Sequence, residues 1–75
     1  MRGVGEEPVY EVFVRKAQGE PLRHIGCVAA PADSLARVYA RSIYDEESWI
    51  EMYVVPRSAI IPVESVREEA VDVHA

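Results

Sequence analysis

A run whose alternate residues are all apolar, while the residues between them are mixed, can bury only one of its two sides. Residues 8 to 16, Pro-Val-Tyr-Glu-Val-Phe-Val-Arg-Lys, form such a run. Period-two alternation makes it a β-strand, with Tyr10, Val12 and Val14 on one face and Val9, Glu11, Phe13 and Arg15 on the other. The first face needs a core. The second mixes charge with one large aromatic and is at best half covered. A strand of this kind belongs to a sheet with a helix on one side and a free face on the other, and the free face is expected to belong to a partner.

The chain length makes this demand sharper. Seventy-five residues make one domain, and a domain of that size buries only about 60% of the surface its unfolded chain exposes. Small domains compensate with staples or partners. The single cysteine, Cys27, cannot form an intrachain disulfide, and no Cys-x-x-Cys or His-x-x-x-His spacing suggests zinc. A partner is the remaining support. At 49% hydrophobic residues the chain is too apolar for disorder. No apolar run approaches the ~18 residues of a membrane span, and the N-terminus lacks the apolar core of a signal peptide. The expected location is the cytoplasm.

Eight basic residues against thirteen acidic ones leave a net charge of -5. A nucleic-acid binder carries a basic stripe to neutralise phosphates, and the acidic total argues against that class. Arg15, Arg23, Arg37 and Arg41 are read instead as solvated or at a protein interface.

The rest of the chain supplies the other elements. Ala17-Gln18-Gly19-Glu20-Pro21 is a turn in which Gly19 takes a positive φ. Leu22 to Ala29 is a second strand, joined to the first as an antiparallel hairpin. Alternation puts Ile25 and Cys27 on one side and His24, Gly26 and Val28 on the other. Gly26 marks either a bulge or a close approach by another backbone.

Pro31 opens a helix over about Ala32 to Tyr44, with Asp33 in its first turn. Leu35, Ala36, Tyr39, Ser42 and Ile43 lie opposite the stripe of Asp33, Arg37 and Arg41, and Ala32, Ala36 and Ala40 let the helix sit close to a sheet. Trp49 to Val55 is a third strand. Ile50, Met52 and Val54 are expected to face inward, and Trp49, Glu51, Tyr53 and Val55 outward. Arg57 to Ile60 is a turn or short helical piece. Ile61-Pro62-Val63 is a candidate edge strand, since proline confines it to an edge.

The reading is a small α+β domain of order β-β-α-β. It has a three- to four-stranded, mainly antiparallel sheet, the first strand in the middle, the third parallel to the second, and one helix packed on one face. Residues 1–7 form a loose N-terminus, 8–63 the domain, and 64–75 a mobile acidic tail.

No active site assembles. His24 has no partner at helical spacing, and the only other histidine, His74, is in the tail. Cys27 suits a buried small hydrophobe in a strand. Glu6-Glu7, Glu46-Glu47 and Glu68-Glu69 are adjacent pairs, not a two-carboxylate or di-iron arrangement. What does assemble is an outer sheet face of Val9, Phe13, Trp49, Tyr53 and Val55. Contiguous apolar surface with aromatics and arginine marks a contact site. Three function classes follow. One is a subunit of a larger assembly, and another a free-standing homodimer with its sheets face to face. The third, disfavoured by charge, is a single-stranded RNA binder stacking bases on Phe13, Trp49 and Tyr53. Catalysis by Cys27 or His24 has least support.

Several fragments, in order, resemble the phenylacetic acid degradation B family. They are Tyr10-Glu11-Val12-Phe13-Val14-Arg15, Gly19, Arg23-His24-Ile25-Gly26, the alanine-rich helix ending Ala40-Arg41 with Tyr44 after it, and Tyr53-Val54-Val55 followed by Ile60. Tyr53 stands where the family usually has tryptophan.

The resemblance implies the small subunit of a multicomponent phenylacetyl-CoA epoxidase. Such a subunit has no catalytic residue, metal or cofactor of its own. The di-iron, flavin and iron–sulfur centres belong to partners. Those partners are ferritin-like catalytic and structural subunits and the reductase, and a homodimer of this chain is expected. The expected interface residues are Tyr10, Phe13, Arg15, His24, Trp49 and Tyr53, with Tyr10 on the core side by alternation.

Overall fold

The computed structural model describes residues 7–64. The expectations for residues 1–6 and 65–75 lie outside the described residues. Strands β1 (Val9–Arg15) and β2 (Arg23–Ala29), helix α1 (Asp33–Ile43), strand β3 (Glu51–Pro56) and a 3-10 turn (Arg57–Ala59) follow in that order. The sheet order is β2-β1-β3. Both neighbours run antiparallel to β1, so β2 and β3 are parallel to each other with the first strand between them, as expected from a hairpin followed by a helical crossover. Among the described residues no helix is long and apolar enough to cross a membrane.

The hairpin turn closes with the Glu20 N–H donating to the Ala17 carbonyl at 3.2 Å, and Gly19 has a φ of 85°. That φ lies in the left-handed region, where a side chain is disfavoured. Tyr10, Val12 and Val14 are buried, and Val9, Glu11, Phe13 and Arg15 half-buried. The core joins Tyr10, Val12, Val28 and Ala30 to Ala36 and Ala40 of the helix, with Ile25, Tyr44, Met52 and Val54 packed against it. The helix matches its expected span to within one residue at each end. Its first residue is Asp33 rather than one beside Pro31, and Ala32 is the N-cap without a side-chain cap bond. Asp33 instead accepts the Tyr10 hydroxyl at 2.7 Å, tying the helix start to the central strand. That bond stabilises the protonated phenol and raises the Tyr10 pKa.

Four expectations are corrected. First, β2 changes register opposite Val12 and Phe13: Val12 pairs with Gly26, but Phe13 pairs with His24, leaving Ile25 as the extra residue. This is a bulge, one of the two readings offered by Gly26, and it breaks simple alternation. Ile25 packs on the core, while Cys27 pairs with Glu11 and is exposed rather than buried. Second, β3 starts at Glu51, so Trp49 and Ile50 precede it; Ile50 is exposed. Third, Ile61-Pro62-Val63 forms no strand, and Ile61 and Val63 are 83% and 99% exposed. Fourth, of the three alanines expected to seat the helix only Ala36 and Ala40 are buried and Ala32 is exposed, and Leu35, Tyr39 and Ile43, opposite the charged stripe, are exposed as well.

Gly26 also meets the close approach that its sequence position suggests, but the neighbour is a side chain. A Cβ there would overlap the Tyr44 hydroxyl and lie 2.8 Å from Tyr44 Cζ. Gly26→Ala should therefore expel the Tyr44 ring from its place against the core, at about 1–3 kcal/mol. Urea unfolding of Gly26→Ala, Tyr44→Ala and the double variant checks this. The double variant is expected to be much less destabilised than the sum, and strict additivity would rule the clash out.

Candidate functional site

The site worth building is the sheet face turned away from the helix. Pleating puts Val9, Glu11, Phe13 and Arg15 of β1 there. Register adds His24 and Cys27 opposite Phe13 and Glu11 on one side, and Glu51, Tyr53 and Val55 opposite Arg15, Phe13 and Glu11 on the other. Phe13 is the centre. Its ring lies 5.2 Å from the His24 ring, tilted by 47°, and its strand partner across β3 is Tyr53, itself 48% exposed. Tilted rings at this separation are in favourable contact.

The charges on this face neutralise one another. Glu11 Oε1 is 2.7 Å from His24 Nε2, and Glu11 Oε2 accepts from Arg57 Nε at 2.6 Å. One carboxylate thus links β2, β1 and the turn after β3. The Arg57 guanidinium, then the His24 ring, holds the Glu11 carboxyl below its ordinary pKa by stabilising the charged form. At the other end Arg15 Nε donates to Glu51 Oε1 at 2.7 Å, and its guanidinium also donates to the Glu20 carbonyl. These pairs are partly solvated, and pairs of that kind contribute little to stability. Their consequence is a face with apolar rings at the centre and no net charge left over.

Four of the six expected interface residues, Phe13, Arg15, His24 and Tyr53, come together here. Tyr10 does not: it is buried in the core and bonded to Asp33. Trp49 does not either. Its indole N–H donates to the Tyr44 carbonyl at 2.6 Å, and it lines an open hollow of about 380 Å³ between the helix end and β3, with Arg41, Tyr44, Ile50 and Met52. A helix leaves its last carbonyls without intrahelical partners, and the indole takes one of them. Glu47 of the same loop pairs at 2.7 Å with Lys16, which follows β1, and this lowers the Glu47 pKa.

Glu11 and Arg57 belong to the site although sequence pattern does not single them out. The outward parity of Glu11 is readable. Its partners are not, because the bulge decides that His24 faces outward and the turn after β3 decides where Arg57 lands. Among the described residues no three His, Cys, Asp or Glu side chains gather to hold a metal. The arrangement presents an aromatic centre, Phe13 and Tyr53, between two sets of paired charges.

A family model described as phenylacetic acid degradation B matches residues 6–73. The B-type component of the 1,2-phenylacetyl-CoA epoxidase of Escherichia coli (strain K12) is 40% identical over 55 residues, which is 72% of this chain and 58% of that protein. The match thus spans less than two thirds of that relative. The crystal structure of a phenylacetate-CoA oxygenase subunit PaaB from Ralstonia eutropha JMP134 is similar at a TM-score of 0.65 and 35% identity, covering 80% of this chain and 98% of that one.

Proposed function

Because the chain belongs to the phenylacetic acid degradation B family, we propose that it is a non-catalytic bridging subunit of a phenylacetyl-CoA epoxidase-like oxygenase. It docks through the free face of its sheet onto ferritin-like catalytic and structural subunits, with the reductase as a further partner, in the cytoplasm. The di-iron, flavin and iron–sulfur centres reside on those partners. The observation that carries this reading is the Phe13–Tyr53 face, which no element covers among the described residues. A relative named as one subunit of an epoxidase supplies the context in which such a face is used.

A second reading, a free-standing homodimer with sheets face to face, draws on the same face. Its charges are already paired within one copy, so two such faces meet without repulsion. Affinity purification of the tagged chain from its native cells, grown on phenylacetate, separates the two. Ferritin-like subunits and iron should accompany the bait. Recovery of the bait alone, as a dimer, overturns the bridging role.

A further inference from the structure

A subunit that bridges needs two surfaces, and the sheet face is one. We propose that the outer flank of α1 is the second, and that it receives a helical, acid-flanked surface of another subunit of the complex. This rests on the bridging reading above. Leu35, Tyr39 and Ile43 follow one another at a spacing of four, with Val38 in the adjacent row, so they form one ridge along the helix. Val38 and Ile43 are 56% and 57% exposed, and Leu35 and Tyr39 are partly covered at 38% and 37%.

The ridge is left out for a physical reason. The small side chains of Ala36 and Ala40 seat the helix on the sheet, and a wider apolar arc overhangs that contact. A convex ridge at helical pitch fits the groove between ridges of another helix.

Charge selects which helix. Arg37 and Arg41, four residues apart and both exposed, border the ridge beyond Val38. The ion pairs among the described residues leave both without a carboxylate partner. The sheet face is neutralised by close ion pairs, whereas Arg37 and Arg41 make none among the described residues, with Asp33 one turn before Arg37 and Asp45 and Glu47 beside Arg41 in the hollow at the helix end. A second copy is a poor occupant: pairing two such ridges antiparallel about a two-fold axis lays one arginine row beside the other. A different subunit with Asp or Glu beside its apolar stripe satisfies both the ridge and the arginines. The two docking surfaces therefore differ in kind, one neutral and aromatic, the other aliphatic and cationic.

The test uses the full chain and, as probe, the ferritin-like subunits recovered in the purification above, with affinities measured at low and high salt. Arg37→Glu/Arg41→Glu should weaken binding by about tenfold or more at low salt and flatten its salt dependence. Arg37→Lys/Arg41→Lys should retain most of both, and Val38→Ser should weaken binding at either salt. Both arginines are exposed, so unchanged circular dichroism is expected. Charge-reversed protein that binds like wild type overturns the inference. If Phe13→Asp meanwhile loses the subunits, the bridging reading stands and only the second surface falls. Self-association abolished by the charge reversal, with the ferritin-like subunits still bound, places a second copy on the ridge and overturns the proposal. Wild-type chain that recovers no such subunits overturns both.

Discussion

Val12→Asp should leave the chain unfolded at room temperature. Val12 has no exposed surface and lies in the central strand, paired with Gly26 on one side and Val54 on the other, within the cluster that includes Ala36 and Ala40. A carboxylate placed there has no cation to meet. An unpaired charge in such a site costs several kcal/mol, or the group is protonated at comparable cost. The whole stability of a 75-residue domain is roughly 4–11 kcal/mol, so the substitution removes most or all of it. Val12→Ala, which only leaves a cavity, should cost about 1–3 kcal/mol and remain folded. Circular dichroism and urea melts at one fixed protein concentration compare the two, since association shifts apparent stability. A Val12→Asp protein that melts cooperatively near the wild-type midpoint would show that β1 is not the central strand.

The fold is legible where local chemistry and tertiary demand agree. The alternation of Tyr10, Val12 and Val14 against Glu11 and Arg15 admits one buried face. Gly19 fixes the hairpin turn, and the short connection it serves forces β1 and β2 antiparallel. The helical stretch before β3 puts β1 between its neighbours. Alternation fails where a residue is inserted. The bulge at Ile25 reverses the facing expected for the lower half of β2, because a one-residue slip moves every following side chain to the other face. His24 thereby meets Phe13 and Glu11, and Cys27 comes to the surface.

Extrapolating β3 two residues too far misplaces Trp49. An indole N–H needs an acceptor, and the free carbonyl at the helix end is nearer than any sheet position. Periodicity shows that α1 has a broad apolar arc, but not how much of it three strands cover. That depends on the depth to which Ala36 and Ala40 let the helix sink, which is a packing outcome rather than a pattern. The candidate site is thus half legible. Its aromatic centre follows from parity along β1 and β3, and its electrostatic clasp through Glu11 follows from register alone.

Phe13→Asp, one position along from Val12, should have the opposite profile: a folded domain and no complex. Phe13 is half-buried on the free face, against the His24 ring and across from Tyr53. In the isolated chain its loss removes an aromatic contact of about 0.5–1.5 kcal/mol and some strand propensity, up to ~1 kcal/mol. His24, directly opposite, offers the new carboxylate a neighbour that can donate to it. Within an interface the balance differs. Truncating a central aromatic anchor commonly costs about 2 kcal/mol or more, and the aspartate must also lose its water without a partner cation. A total of about 4 kcal/mol corresponds to roughly a thousandfold in affinity, enough to dissociate a complex that is stable at micromolar concentration. Phe13→Ala should fall between, and Tyr53→Asp should resemble Phe13→Asp, since the two side chains share one patch. Retained circular dichroism with loss of the co-purifying subunits is the expected result. Normal assembly and turnover with Asp at position 13 would remove the sheet face from the interface, and the helix flank would then have to carry the contact alone.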